Sequence, residues 1–475
     1  MDEKITEIIK SLYPYADEYG VIRAFPDEGL AREEILDQVG DMAARESPVW
    51  ESGRCSGTMY SGDHEHYDFL NDICAHYSHI NALQRDMCPA ITRFESEIIA
   101  MSLDLMHAGA VRNVDETNTP CGSVSSGGTE SIINAMLVYR EHARESRKVT
   151  KPQLILPDTA HPAFTKGAHL LGIELIVAPI DPTSTLVDMD FVRRSINDRT
   201  IALVGSAGNY PYGTIDPIEQ LSDLAVKHGI GLHVDACLGG FILPWGEKLG
   251  VPNIPVFDFR LPGVTSISAD THKYGYGLKG TSVVLYRDTG LRRHQYHIAP
   301  SWKGGAYASY GLPGSRPGGL IASTWASMVS LGREGYLDRA RQIFDTAFKM
   351  QDAVRDHPEL VLMGQPTFCF AIRSEEFDIY HLNDSMKQRG WRFNGLQDPP
   401  AIHMCVTLPQ TRPGVTEAFS GDLEEAVTYA AEHRDEKPRS SALYGGGAEG
   451  LPTDSPEEVS QLLEMALDVI QAYPF

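Results

Sequence analysis

Lys273 lies in Ser268-Ala269-Asp270-Thr271-His272-Lys273-Tyr274-Gly275, directly after an apolar run that reads as a strand. An amine at a strand end, among His and Tyr, is badly placed for a solvated side chain. It suits a covalent nucleophile, because desolvation and nearby cations depress a lysine's pKa. Asp235 closes a second run, His233-Val234-Asp235-Ala236, where a carboxylate can face a cationic pyridinium nitrogen. His161, in Asp158-Thr159-Ala160-His161-Pro162-Ala163, follows a third and can stack on a planar ring. Ser125-Ser126-Gly127-Gly128-Thr129-Glu130-Ser131 precedes a helical stripe. Glycines at a helix start let backbone amides approach an anion, which the helix dipole favours. The hydroxyls of Ser126 and Thr129 can add hydrogen bonds. Taken singly, each feature also reads as ordinary structure: a turn, a loop Asp, a snorkelling Lys, a structural His. Together they anchor a phosphate, a planar ring, a ring nitrogen and an aldehyde, which is the demand of pyridoxal 5'-phosphate.

The elements that must position these residues alternate. Short apolar runs at Leu154–Leu156, Leu175–Ala178, Ile201–Gly205, Gly231–Val234, Val264–Ser268 and Ser282–Tyr286 are separated by helical stretches such as Asp216–His228. Strand and helix in alternation imply an α/β fold with a largely parallel sheet. In such sheets ligands sit outside the carboxyl ends of the strands. Residues 1–94 read as an N-terminal arm and segment, polar and helical in pattern to about residue 50, with Pro48 marking a break there. Residues 95–330 read as the large cofactor domain. Residues 331–475 read as a smaller α+β domain, opened by a helical stretch Leu331–His357, with strands near Phe368–Ile372 and His403–Leu408 and a last helix near Pro456–Ala472.

Composition narrows the function classes. The formal net charge of −23 disfavours nucleic acid and anionic membranes as partners, and no basic run offsets it. No apolar stretch reaches the length that spans a bilayer, and the first residues lack an apolar signal core. Cys55, Cys74, Cys88, Cys121, Cys237, Cys369 and Cys405 are odd in number, scattered and free of a CxxC pair. That argues against a disulfide framework or a structural zinc site and for a reducing, cytoplasmic compartment. Asp63-His64-Glu65-His66 has metal-ligand residue types, but adjacent residues on a short loop rarely converge, so no metal is expected. No GxSxG elbow is present, which excludes the usual serine hydrolase pattern.

The wording of these motifs resembles the group II decarboxylase superfamily of fold type I, the aspartate-aminotransferase-like pyridoxal-phosphate enzymes, and within it the sphingosine-1-phosphate lyases. Ser126-Gly-Gly-Thr-Glu-Ser131, His233-Val-Asp-Ala-Cys-Leu-Gly-Gly-Phe241 and Ser266-Ile-Ser-Ala-Asp-Thr-His-Lys-Tyr-Gly275 carry the likeness. So do Gly314-Ser-Arg-Pro-Gly-Gly319, Phe377-Asp-Ile-Tyr380, Gly390-Trp391, Leu396-Gln397, Pro400 and Ile402-His403, a set that generic amino-acid decarboxylases lack.

The resemblance implies that Lys273 forms the Schiff base, Asp235 pairs with the ring nitrogen and His161 stacks on the ring. It implies further cofactor contacts from Ser126, Gly128, Thr129, Ser206 and His272, and from Ser315 of the partner subunit in a homodimer with shared active sites. Tyr60 and Lys279 match positions linked to the substrate phosphate. Where the lyases read Asn-Pro-Leu-His-Pro-Asp, this chain reads Asn81-Ala-Leu-Gln84-Arg85-Asp86. Gln84 replaces the family histidine, and Arg85 beside it can supply the positive charge as a bidentate donor. The implied reaction is retro-aldol cleavage of a phosphorylated sphingoid base to a long-chain aldehyde and phosphoethanolamine. The alternatives are an α-decarboxylase of free amino acids and a non-catalytic protein of the same fold.

Overall fold

β-Branched and leucine-rich runs bounded by turns build a seven-stranded sheet, seen in a computed structural model that describes residues 13–111, 118–442 and 455–471. Its strands are β1 (Cys121–Ser125), β2 (Gln153–Pro157), β3 (Glu174–Ala178), β4 (Thr200–Ser206), β5 (Gly231–Asp235), β6 (Ser266–Ala269) and β7 (Ser282–Tyr286). The spatial order is β1-β7-β6-β5-β4-β2-β3. Only β7 runs against the others, pairing antiparallel with β1 and β6. Both faces are covered: Leu154 and Leu156 enter one core cluster and Ile155 the other. That double burial explains the unbroken apolar runs in the sequence. The fold is the expected α/β arrangement with a mainly parallel central sheet.

β8 (His297–Ala299) and β9 (Tyr307–Ser309) form a short hairpin. The helix Gly318–Arg355 then crosses to a four-stranded antiparallel sheet of β10 (Leu360–Leu362), β11 (Cys369–Ser374), β12 (Asn394–Leu396) and β13 (Ala401–Cys405), in the order β10-β11-β13-β12. At Gly332 the backbone leaves helical geometry with φ 54° and kinks the helix.

Several elements differ from expectation. β1 was not foreseen, because Cys-Gly-Ser-Val-Ser carries no apolar run. Its smallness is required: a Cβ on Gly122 would sit 2.8 Å from both a Leu285 methyl and the Val284 carbonyl. Pro48 does not end a helix but lies inside Arg32–Glu51. The helix expected from Leu331 begins at Gly318, and the strand expected to run to Leu408 ends at Cys405. The first residues, read for a signal core, and Ala472 lie outside the described residues.

The small sheet is held by aromatic packing. Phe419, on the helix Val415–Glu432, is fully buried edge-on to Trp391 at a 5.3 Å centroid separation. Phe419→Ala is expected to cost about 3–5 kcal/mol through lost burial and the cavity left behind, read as an earlier unfolding transition in urea.

Candidate active site

The strand directions decide where the chemistry can gather. β1, β2, β4, β5 and β6 all point the same way, so their carboxyl ends share one edge of the sheet. The Gly-rich turn follows β1, His161 follows β2, Ser206 closes β4, Asp235 closes β5 and Lys273 follows β6. β7 runs the opposite way, so Lys279, just before it, arrives at the same edge. Ser206 and Asp235 are register partners on adjacent strands.

Lys273 Nζ lies 2.8 Å from Asp270 Oδ2. Burial pulls this amine's pKa down, but the Asp270 carboxylate, with smaller help from Tyr60 and Cys237, more than offsets it. The lysine is therefore held well above its usual value, opposite to the depression expected from desolvation alone. Burial pushes Asp270 up while Lys273 and His272 pull it down more strongly, leaving it below the ordinary carboxylate value. Asp270 is the residue that the sequence reading missed. Its signal was available in the i, i+3 spacing to Lys273 across one tight turn. Its Oδ1 is buried without a hydrogen-bond partner.

Asp235 Oδ1 accepts from the Cys237 amide (3.0 Å) and from Ser268 Oγ (3.3 Å), which fixes the carboxylate at the strand end. His161 Nδ1 accepts from the Ala163 amide at 3.1 Å, so Nε2 carries the proton. Burial lowers its pKa against the pull of Asp235, which favours the neutral imidazole. His161 feels the charges of Asp235, Lys273 and Asp270 together, which places all four in one site. His272 donates Nδ1–H to the Thr281 carbonyl at 2.5 Å.

The helix Gly128–Arg147 begins at the same edge. Its first amides have no acceptor within the helix. A Cβ on Gly128 would lie 2.8 Å from Asp270 Oδ1 and from Cys237 Sγ, so only glycine keeps this cradle open. Thr129 is exposed at the helix start. Ser126 Oγ and its amide both donate to Glu130 Oε2 at 2.7 Å, so this hydroxyl's proton serves the loop. Open amides at a helix start, a neutral imidazole, a carboxylate fixed by two donors and a lysine at the same edge fit pyridoxal 5'-phosphate.

Lys279 Nζ sits 4.6 Å above the Tyr60 ring, bringing together two residues far apart in the sequence. Burial, and secondarily Lys273, push Lys279 down to about 8. Gln84 and Arg85 belong to a different cluster. Gln84 is exposed, and Arg85 pairs with Glu95 Oε2 at 2.9 Å. Arg316 also pairs with Glu95 and so supports its own loop. Ser315 accepts from Asn81 Nδ2 at 2.9 Å within the chain. A cavity of about 720 Å³ lies beside this cluster and includes none of Lys273, Asp235 or His161. Asp63, His64 and His66 take separate partners: the His66 amide, Glu51 and the Tyr276 carbonyl.

A family model for the pyridoxal-dependent decarboxylase conserved domain matches residues 19–372. The chain is 42% identical over 406 residues to a sphingosine-1-phosphate lyase of Arabidopsis thaliana, covering 85% of this chain and 73% of that protein. It also matches the solved structure of a sphingosine-1-phosphate lyase from Burkholderia pseudomallei, at 57% identity and a TM-score of 0.91, over 97% of this chain and 100% of that one. The chain belongs to the sphingosine-1-phosphate lyase family. The likeness to glutamate decarboxylase of Lactobacillus brevis, with TM-score 0.73 over 89% of this chain and 97% of that one, is only 20% in sequence and shows the fold alone. As a lyase-family member the chain uses pyridoxal 5'-phosphate.

The Asp270–Lys273 pair gives a direct test. Asp270→Asn removes the main group that opposes burial, so the pKa of Lys273 falls. Reductive methylation of the cofactor-free protein should label Lys273 at a lower pH in this variant than in the native chain.

Proposed function

We propose that this chain is a carbon–carbon lyase that cleaves phosphorylated sphingoid bases to a long-chain aldehyde and phosphoethanolamine. The observation that carries this reading is the meeting of Lys279 and Tyr60 beside the Lys273 edge. A cation over an aromatic ring, next to a nucleophilic amine, suits a substrate with a phosphate at one end and an amine nearby. Gly128 and Thr129 amides would hold the cofactor phosphate, His161 the ring face, Asp235 the ring nitrogen and Lys273 the aldehyde carbon, with Ser206 and His272 supporting at the same edge. When bound, the cofactor supplies a sink for the electron pair released as the Cα–Cβ bond breaks.

The chain's own residues orient and protonate. Lys279 and Tyr60 fix the substrate phosphate and so set the direction of the bond to be broken. Asp235, held by Ser268 and the Cys237 amide, would set its carboxylate against the ring nitrogen. Asp270 keeps a proton on Lys273 until the amine is needed. Lys273, or a residue near the substrate phosphate, would take the proton of the 3-hydroxyl.

The working unit is proposed to be a cytoplasmic homodimer in which Ser315 of the partner subunit reaches the cofactor phosphate. Gln84 and Arg85 would then serve the substrate phosphate from the cluster around Glu95. Exposed Met87, Ile298, Trp302 and Leu312 in these segments support a covered face. Among the described residues no helix is long and apolar enough to cross a membrane.

Incubation with sphingosine 1-phosphate should release a long-chain aldehyde, and unphosphorylated sphingosine should not. Carbon dioxide from free amino acids, without aldehyde, would instead identify a decarboxylase. Lys273→Ala should abolish turnover with the fold intact by circular dichroism. Lys279→Ala should raise KM for the phosphorylated substrate about tenfold to a hundredfold, the usual worth of a charged hydrogen bond. Because Lys279 titrates near 8, its cation is present below that pH and lost above it. KM should therefore climb on the alkaline side in the native chain and stay flat in Lys279→Ala.

A further inference from the structure

Cys369 on β11 and Cys405 on β13 stand directly opposite each other. The neighbouring pair carries the ladder bond, from the Val406 amide to the Phe368 carbonyl at 3.1 Å. Cys405 turns its own amide to Ser56 Oγ and its carbonyl to the Gly57 amide, both at 2.9 Å. Cys369 and Cys405 are therefore a non-hydrogen-bonded antiparallel pair, in which Cα atoms approach to about 4.5 Å and side chains lie closest. That spacing falls within the range a disulfide spans. Both thiols are free and buried.

The surroundings differentiate the two sulfurs. Contact with Cys369, then Tyr274 and the ammonium groups of Lys273 and Lys279, lower the pKa of Cys405 against the effect of burial. Burial raises Cys369 well above its usual value. His403 shares the strand face of Cys405, two residues away. It donates Nδ1–H to the Pro211 carbonyl at 3.2 Å, so Nε2 carries the free lone pair, and the ring lies against Cys369 Sγ, 3.5 Å from Nδ1 and 3.9 Å from Nε2. Burial keeps that imidazole neutral.

We infer that Cys369 and Cys405 are a redox-modification site, closed by peroxide into a reversible disulfide in the wall of the active site. The Cys405 thiolate attacks the peroxide O–O bond, giving a sulfenic acid and a hydroxide, which takes up the proton that the Cys405 thiol gave up and leaves as water. Cys369 passes its proton to His403 Nε2 and attacks the sulfenic sulfur. The S–S bond forms, and the sulfenic oxygen leaves as a second water with the proton from His403. Two thiols and one hydrogen peroxide become one disulfide and two waters.

The crosslink acts on the neighbouring site through Tyr274. Cys405 Sγ lies 3.1 Å from Tyr274 Oη, which donates to the Val406 carbonyl at 2.6 Å. Tyr274 adjoins Lys273 and meets the Tyr60 ring edge-on at 5.0 Å. Drawing Cys405 toward Cys369 loosens this contact chain.

The holoenzyme is treated with hydrogen peroxide, alkylated and digested without reductant. The expected result is a peptide containing Cys369 joined to one containing Cys405, with the intact chain lighter by two hydrogens. Lyase activity should fall about tenfold, since small misplacements at a reaction centre are costly, and return with dithiothreitol. Cys369→Ala should form no crosslink under the same treatment. Peptide mapping on the native chain decides the site even if that variant folds poorly. Both cysteines fully alkylated after peroxide, oxygen retained on Cys405 alone, or a metal ion found by elemental analysis on the Cys369–His403–Cys405 set would overturn the proposal. A crosslink that leaves activity unchanged would overturn its coupling to Tyr274.

Discussion

The arrangement depends on a constraint of direction. A strand delivers the residue after its last rung to one edge of its sheet, and β1, β2, β4, β5 and β6 all deliver to the same one. Five stretches of chain, spread from Ser126 to Lys273, thus reach a common place without any long loop. The single reversed strand, β7, returns Lys279 to that place from the other side. Hydrophobic burial on both sheet faces makes this edge rigid, so polar groups can be gathered there at fixed spacing.

Charge is then distributed by proximity rather than by exposure. Lys273 and Lys279 are close in sequence, yet their amines behave oppositely. Lys273 has a carboxylate at 2.8 Å and holds its proton tightly. Lys279 has an aromatic face and another amine nearby, and it holds its proton loosely. The difference follows from one aspartate, Asp270, placed on the inner side of the turn.

Much of this was legible in the sequence, and the illegible parts have physical reasons. Apolar runs marked six strands, and both sheet faces are buried along all of them but the edge strand β3, where Val177 is exposed. The glycine turn, Asp235, His161 and Lys273 were legible because their types match the demands of one cofactor. β1 was hidden because it is squeezed against Leu285 and can afford only small residues. Asp270 was quoted but given no role, since sequence shows that it neighbours Lys273 but not which way it points. The pairing of Cys369 with Cys405 and of Tyr60 with Lys279 depends on register and tertiary closure, which no local pattern encodes. Pro48 misled because it lies exposed in the last turn of the helix Arg32–Glu51 rather than after it.

Among the described residues, the kinked helix Gly318–Arg355 is the element that leads from the β8–β9 hairpin into the small sheet. Each residue of a helix advances the chain by about 100° around its axis. One residue gained or lost on either side of Gly332 would therefore swing everything beyond it by more than a quarter-turn. Surface loops elsewhere can drift in length over evolutionary time. This helix must keep its residue count, and its length is a ruler fixing the mutual orientation of the two sheets.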